Sequence, residues 1–338
     1  MDYNLIWYIL LTVLFVGYII LDGFDLGVGM QIKSGKTDLD RRIILNSIGP
    51  VWDGNEVWLI TAGGALFAAF PHVYATIFSG YYTAFMLFLL VLIIRGVSIE
   101  FRSKVETQKW RNLWDNLFMI ASYLIVLLLG VAFANVFAGI PIDAEMEYHG
   151  GLLPLLNPYA VVFGLMGVAG LRLHGNLYLL YKTENELYNN LRKRTMTNYY
   201  VFIVLYIITI IYTIATQNHL FTNYNNYPVL YLLPILAIIA LLLIPVLLKK
   251  NTDLKAFFAQ CGVIAFTLIS IIAGMFPNFV VSKPELANSL TAYNSASSEG
   301  TLSTMFIIAL IGVPLILIYQ IIVYRVFRGK VKLEESSY

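Results

Sequence analysis

The sequence predicts an all-α protein that crosses a membrane about nine times, and three observations carry that expectation. Hydrophobic residues make up 59% of the 338 and charged residues 12%, with a mean hydropathy of +0.74, a balance that soluble globular domains do not show. Apolar runs near the ~20 residues needed to cross a hydrocarbon core of ~30 Å recur along the whole chain. Basic residues cluster in alternate connections between those runs. Runs of this length with Gly and Pro inside them do not fit the ten-residue alternating strands of a membrane barrel, and helices satisfy their own backbone groups in lipid.

The runs lie at about residues 5 to 27, 51 to 70, 74 to 99, 115 to 139, 155 to 181, 199 to 217, 228 to 248, 256 to 277 and 301 to 327. No basic stretch precedes the first run and no small-residue cleavage site follows it, so it reads as a retained anchor. Lys33, Lys36, Arg41 and Arg42 follow span one; Arg95, Arg102, Lys104, Lys109 and Arg111 surround the connection after span three. Lys182, Arg192, Lys193 and Arg194 follow span five; Lys249, Lys250 and Lys255 follow span seven; Arg325, Arg328, Lys330 and Lys332 close the chain. Of the 22 basic residues only Arg172, inside span five, and Lys283 fall elsewhere. The positive-inside rule then predicts an outer N-terminus, a cytoplasmic C-terminus and a multi-pass protein of a prokaryotic cell membrane. The opposite connections are acidic or neutral, as at Asp143, Glu145 and Glu147.

A net charge of +2 with this placement reports topology, so the expected surroundings are a lipid bilayer and no nucleic acid. The lone Cys261 excludes an intrachain disulfide and a cysteine-built metal site. The expected organisation is one integral membrane domain: a four-helix bundle over 1–140, a second over 150–278, and a peripheral ninth helix over 300–328. Leu21-Asp22-Gly23 loosely parallels Leu173-His174-Gly175, which suggests that spans one and five begin related halves.

An ionised carboxylate deep in a bilayer costs on the order of ~3 kcal/mol, so acids inside spans are functional candidates. Asp22 and Asp25 are three apart in span one and share a helix face, while Gly23 and Gly27 allow another helix to approach. In Trp52-Asp53-Gly54-Asn55-Glu56-Val57-Trp58, Asp53 and Glu56 have the same spacing. Arg95 closes span three and Asp115 opens span four. All lie in the basic half of the first four spans, where they are expected to converge as a proton entry path from the cytoplasm. The rival readings are helix capping near the headgroups, charges that serve packing alone, and an ion-coupled secondary transporter. The last would show helices interrupted at midplane in both halves.

Arg172 and His174 form a second candidate site, for a partner acid or a polar ligand such as a quinone. His72, His149 and His219 lie at outer connections or span ends, so no two histidines inside spans make a bis-histidine haem site or a copper cluster, and no metal ligands are assigned.

Several long motifs resemble one family. They are Asp22-Gly23-Phe24-Asp25-Leu26-Gly27-Val28-Gly29-Met30, Arg41-Arg42, and the stretch from Asn46-Ser47-Ile48-Gly49-Pro50 through Trp58-Leu59 to Thr61-Ala62-Gly63-Gly64 and Phe70-Pro71. Phe78-Ser79-Gly80, Phe101-Arg102-Ser103-Lys104, Trp110-Arg111-Asn112, Trp114-Asp115 and Asn288-Ser289-Leu290-Thr291 continue the match over nearly the whole chain. The sequence resembles subunit II of the cytochrome bd quinol oxidases. That resemblance implies a heterodimer in which a haem-bearing subunit I holds haem b and haem d, sometimes with small single-span accessory subunits. Quinol, menaquinol or ubiquinol, is oxidised at the outer face and oxygen reduced to water with cytoplasmic protons, generating a proton-motive force. In this chain it implies no catalytic residue. It implies instead support for haem assembly, with Asp25, Asp53, Arg95 and Asp115 in proton delivery and at the subunit interface, and it leaves a structural quinone open. Glu56 departs from a glutamine found in a familiar relative, which weakens it as an obligatory relay.

Overall fold

The computed structural model describes residues 1–333. Twelve helices run in chain order: α1 (Tyr3–Gly29), α2 (Asp38–Ile48), α3 (Trp52–Ala69), α4 (Pro71–Gly80), α5 (Tyr82–Phe101), α6 (Gln108–Ala138), α7 (Pro158–Lys182), α8 (Asn185–Thr216), α9 (Phe221–Asn226), α10 (Leu232–Lys249), α11 (Asp253–Met275) and α12 (Glu299–Val326). Strands β1 (Asn278–Val280) and β2 (Leu290–Thr291) form a small antiparallel pair between α11 and α12.

Among the described residues, eight helices are long and apolar enough to cross a membrane, and a ninth crossing requires α3 and α4 to count together. That pair bends by 119° at Phe70. Pro71 has no N–H to continue the α3 ladder and pushes the preceding residue out of helical geometry, as Phe70 shows at φ −135° and ψ 67°. The expected span at 74 to 99 is corrected accordingly. Residues 71–80 form the separate short helix α4, and the crossing is α5, which starts at Tyr82.

Local signals set several starts. Asp2 accepts from Leu5 N at 3.0 Å to cap α1, Thr37 and Asp40 form a capping box on α2, and Asn157 caps α7 with Pro158 in its first turn.

α1 is the central helix and packs against α3, α6, α7 and α11. Its closest neighbour is α7, where a Cβ on Gly27 would come within 2.7 Å of Gly175 N, so no side chain fits at that crossing. A similar approach joins α6 to α7 at Gly130 and Gly164. The basic connections meet at one end of the molecule. There the short turn at Ile32–Ser34, α2, the α5–α6 connection and the start of α8 meet, Lys36 pairs with Glu186, and Arg192 pairs with Asp253. At the opposite end Trp7 Nε1 donates to Leu302 O, Tyr8 Oη donates to Ile272 O, and Ile140 N donates to Val281 O. α12 lies outside the rest, against α1 and α3, with only Leu302 buried.

Candidate functional site

The sequence-predicted acids fall into two clusters rather than one. The inner cluster sits where α1, α3 and α5 meet near the basic end. Asp22, Asp25 and Arg95 are each 0% exposed. Arg95 reaches Asp22 Oδ1 through NH2 at 2.5 Å and lies 3.6 Å from Glu56 Oε1 through NH1, with its guanidinium 5.8 Å from the Trp52 ring. Trp52, Glu56, Asp22 and Asp25 therefore stand together, as spacings of three and four residues, close to one helical turn, predict.

Asp25 has no cation as its hydrogen-bond partner. Its Oδ2 accepts from Asn55 Nδ2 at 2.7 Å, and Asn55 Oδ1 accepts from Tyr324 Oη of α12 at 2.8 Å. Asp25 Oδ1, Asp22 Oδ2 and the Tyr18 hydroxyl are buried and have no partner. Three carboxyl groups thus share one guanidinium, with Asp22 and Asp25 shut off from solvent and Glu56 at the partly exposed edge. A buried charge without a partner is expensive, so a cluster with this imbalance is most economical when it holds protons.

Asp53 does not join them. One residue along from Trp52, it is exposed on the outer face of α3, whereas Glu56 turns inward. The same face carries Gly54, Val57, Ile60, Thr61, Gly64 and Phe67, and a Cβ on Gly54 or Gly64 would meet nothing within 4 Å. Asp25 and Arg95 are fully buried within this chain, and Asp53 is the charge that faces outward.

Asp115 belongs to the second cluster, at the basic end. It accepts from Arg102 Nε at 2.6 Å and from Arg41 NH1 at 3.0 Å, while Asp38 accepts from Arg102 NH2 and Arg111 NH1 at 2.7 Å each. Burial opposes ionisation of Asp38, but the Arg102 and Arg111 guanidinium groups outweigh it and hold its carboxyl below the usual range. Burial, then Arg41, pushes the Lys33 amine down against the pull of Asp115. Two acids facing several guanidinium groups form a fixed ion-pair lattice, with none of the proton-holding imbalance of the inner cluster.

Arg172 and His174 are not brought together. Two positions apart on α7, they point to different sides. His174 is 0% exposed, its Nε2 lies 3.0 Å from Ile20 O, and its ring stacks on Phe257 at 4.7 Å. Arg172 is half-buried with an unpartnered Nε, and no acid of the first four spans forms an ion pair with it.

One apolar cavity lies among the helices. That space, between α1, α6, α7, α8 and α11, has a volume of about 90 Å³ and a nearly all-apolar wall that includes Tyr18, Leu26, Phe133, Phe202 and Tyr206, and Arg172 and His174 are not part of it. Pockets that take a drug-sized ligand run from roughly 300 Å³ upward. His219 Nε2 lies against Phe137 O and His149 pairs with Asp143. Among the described residues no group of three or more His, Cys, Asp or Glu side chains could hold a metal ion.

Asn55 and Tyr324 are the site residues that sequence reasoning missed. Asn55 lies inside the Trp52–Trp58 motif between two acids, and its neutral side chain gave no charge signal. A tyrosine at the basic end of an apolar helix reads as an interfacial anchor.

Residues 3–327 match the family model of the cytochrome bd terminal oxidase subunit II. The chain is 38% identical over 333 residues to the cytochrome bd ubiquinol oxidase subunit 2 of Bacillus subtilis (strain 168), covering 98% of this chain and 97% of that one. It is 35% identical over 361 residues to the cytochrome bd-I ubiquinol oxidase subunit 2 of Escherichia coli (strain K12), covering 98% and 95%. A chain of the bd oxidase structure from Geobacillus thermodenitrificans matches with a TM-score of 0.80 at 17% identity, over 97% of this chain and 99% of that one, which speaks to fold alone. On this near full-length match the chain belongs to the cytochrome bd terminal oxidase subunit II family.

Proposed function

We propose that this chain works as the second subunit of a quinol:oxygen oxidoreductase, beside a haem-bearing subunit I, and that its inner cluster conducts protons from the cytoplasm toward the partner. Haem b and haem d, held by the partner, supply the oxygen-reducing chemistry, and the quinol is the partner's substrate. The basic end of the molecule is the cytoplasmic end, so the N-terminus is outside and the C-terminus inside. The observation that carries the reading is the charge imbalance: among the described residues Asp22, Asp25 and Glu56 share Arg95, the two aspartates are fully buried with Arg95 while Glu56 is partly exposed, and Asp25 leans on a neutral amide.

The partner seat is the outer face of α3. A carboxylate and two open glycines on a lipid-facing helix suit a protein neighbour better than acyl chains, because small residues let a second backbone approach and Asp53 needs polar company. Within the chain we take α1, α3, α5 and α6 as one four-helix unit and α7, α8, α10 and α11 as the other, joined through the α1–α7 and α6–α7 seams, with α12 outside. This frame supports haem assembly by giving the partner a rigid surface.

The transporter alternative called for interrupted helices in both halves; the one bent pair among the described residues, α3 with α4, lies in the first. A dithionite-reduced minus air-oxidised spectrum, with quinol-dependent oxygen uptake, tests the proposal on membranes that contain the haem subunit with and without this chain. Haem d bands and uptake that need both chains are expected; signals indifferent to this chain would return the transporter to the front.

A further inference from the structure

We propose that Tyr324 is a positioning residue for Asp25, acting through Asn55; this role rests on the proton-path reading above. The side-chain amide of Asn55 has one donor end and one acceptor end, and its environment sorts them. On the donor side stand two acceptors, Asp25 Oδ2 at 2.7 Å and Leu21 O at 3.4 Å. On the acceptor side stands one donor, the Tyr324 hydroxyl at 2.8 Å. With that hydroxyl in place the amide is fixed, Nδ2 faces Asp25, and Oδ2 is the carboxyl oxygen engaged. Asp25 Oδ1, buried and otherwise unpartnered, is then the oxygen free to take and release the proton. Without the hydroxyl, Asn55 Oδ1 loses its donor, and the amide gains by turning over to accept from a protonated Asp25, which traps the proton.

α12 is held so that this contact is reproducible. Apart from its grip on α1 and α3 it faces lipid, yet both ends are pinned. At one end Trp7 Nε1 donates to Leu302 O at 2.9 Å. At the other the chain after α12 straps onto the end of α7. Lys182 Nζ donates to Phe327 O at 2.5 Å, Lys330 Nζ to Leu180 O and Thr183 O at 3.1 and 2.7 Å, and Val331 N to Lys182 O at 3.0 Å. Gly329 N completes the strap on the Tyr181 hydroxyl. The Tyr324 ring packs edge-on near Phe24, one position before Asp25, with centroids 6.4 Å apart. A helix at the lipid boundary thus sets the orientation of an amide in the interior.

The test is a set of variants in the purified two-subunit complex: Tyr324→Phe, Asn55→Leu, their double variant and Asp25→Asn. Tyr324→Phe keeps the ring and its packing and removes one oxygen. Its quinol-dependent oxygen uptake is expected to lose roughly fivefold in kcat, as one hydrogen bond warrants, with KM for quinol and the haem spectrum unchanged. In the Asn55→Leu background the same substitution is expected to change kcat no further, because its effect runs through the amide. The infrared carboxyl band that disappears in Asp25→Asn is expected to shift in Tyr324→Phe. Loss of turnover in Asp25→Asn beside wild-type kcat and an unmoved band in Tyr324→Phe overturns the role of Tyr324 alone. Full turnover in Asp25→Asn overturns the proton path and this role with it.

Discussion

Arg95 is the residue on which the inner cluster depends. Removing one partner of a buried ion pair leaves the other charge without compensation, and typical losses are about 3–5 kcal/mol. Arg95→Leu abandons both Asp22 and Glu56, at 2.5 and 3.6 Å, so the thermal unfolding midpoint of the purified complex is expected to fall by several degrees, with poor recovery of intact complex. An unchanged midpoint would mean that the pair adds nothing to folding. Most of this cluster was legible from residue type and spacing, since acids three apart in a membrane helix share a face. What spacing could not resolve was the side of α3 that turns inward, because Asp53 and Glu56 differ by one-sixth of a helical turn and the seam with α1 falls between them. Nor could it show that Asp115 would be claimed by Arg102 and Arg41, which the sequence offered only as markers of orientation.

Elements carry two further expectations. The outer face of α3 is proposed to seat the haem subunit, and Gly64→Leu puts a bulky side chain where a Cβ now meets nothing. This chain is expected to insert and accumulate normally while co-purification of the haem subunit drops severalfold; undiminished co-purification would remove α3 from the interface. The connection at 140–151, at the end opposite the basic one, carries the other. There the His149 ring pairs with Asp143, whose Oδ1 accepts from Glu145 N and Glu147 N at 3.0 and 2.8 Å.

The Asp143 contact pushes the His149 imidazole up, and the His149 contact, then the Glu147 amide, holds the Asp143 carboxyl down. A raised histidine contributes fully below its ordinary value of about 6.5 and loses that contribution as pH rises through the raised one; a lowered carboxyl contributes above about 3.9 and fails as pH falls. The loop is therefore most ordered between roughly pH 4 and 6.5. Hydrogen exchange at the Glu145 and Glu147 amides, corrected for intrinsic rate, should show greater protection at pH 5.5 than at pH 8.5, and equal protection at both would dismiss the pair as an ordering contact. At this scale the sequence located the helices well where runs were long and unbroken. It missed α4 because that ten-residue helix is largely apolar and meets α5 across the single residue Tyr81, so the two were read as one span.

For the whole molecule, charge asymmetry was the clearest sequence signal, and the structure gathers the basic connections at one end through ion pairs that join distant parts of the chain, such as Arg192 with Asp253. The central α1–α7 crossing was half visible: glycines in span one announced a close helix, while Gly175 as its counterpart needed the fold. The most consequential feature was not visible from sequence at all, because the helix expected to be peripheral supplies Tyr324 to the interior.

Proton passage through a carboxyl cluster balanced by one guanidinium requires that Asp25 take up and release a proton. Asp25→Asn in the two-subunit complex tests this most directly, since it removes the proton carrier and keeps the shape and the Asn55 contact. With haem content and spectrum intact, quinol-dependent oxygen uptake is expected to fall by about tenfold or more, within the usual range for losing one proton-transfer group. Uptake at the wild-type rate would contradict the account and leave the cluster as packing.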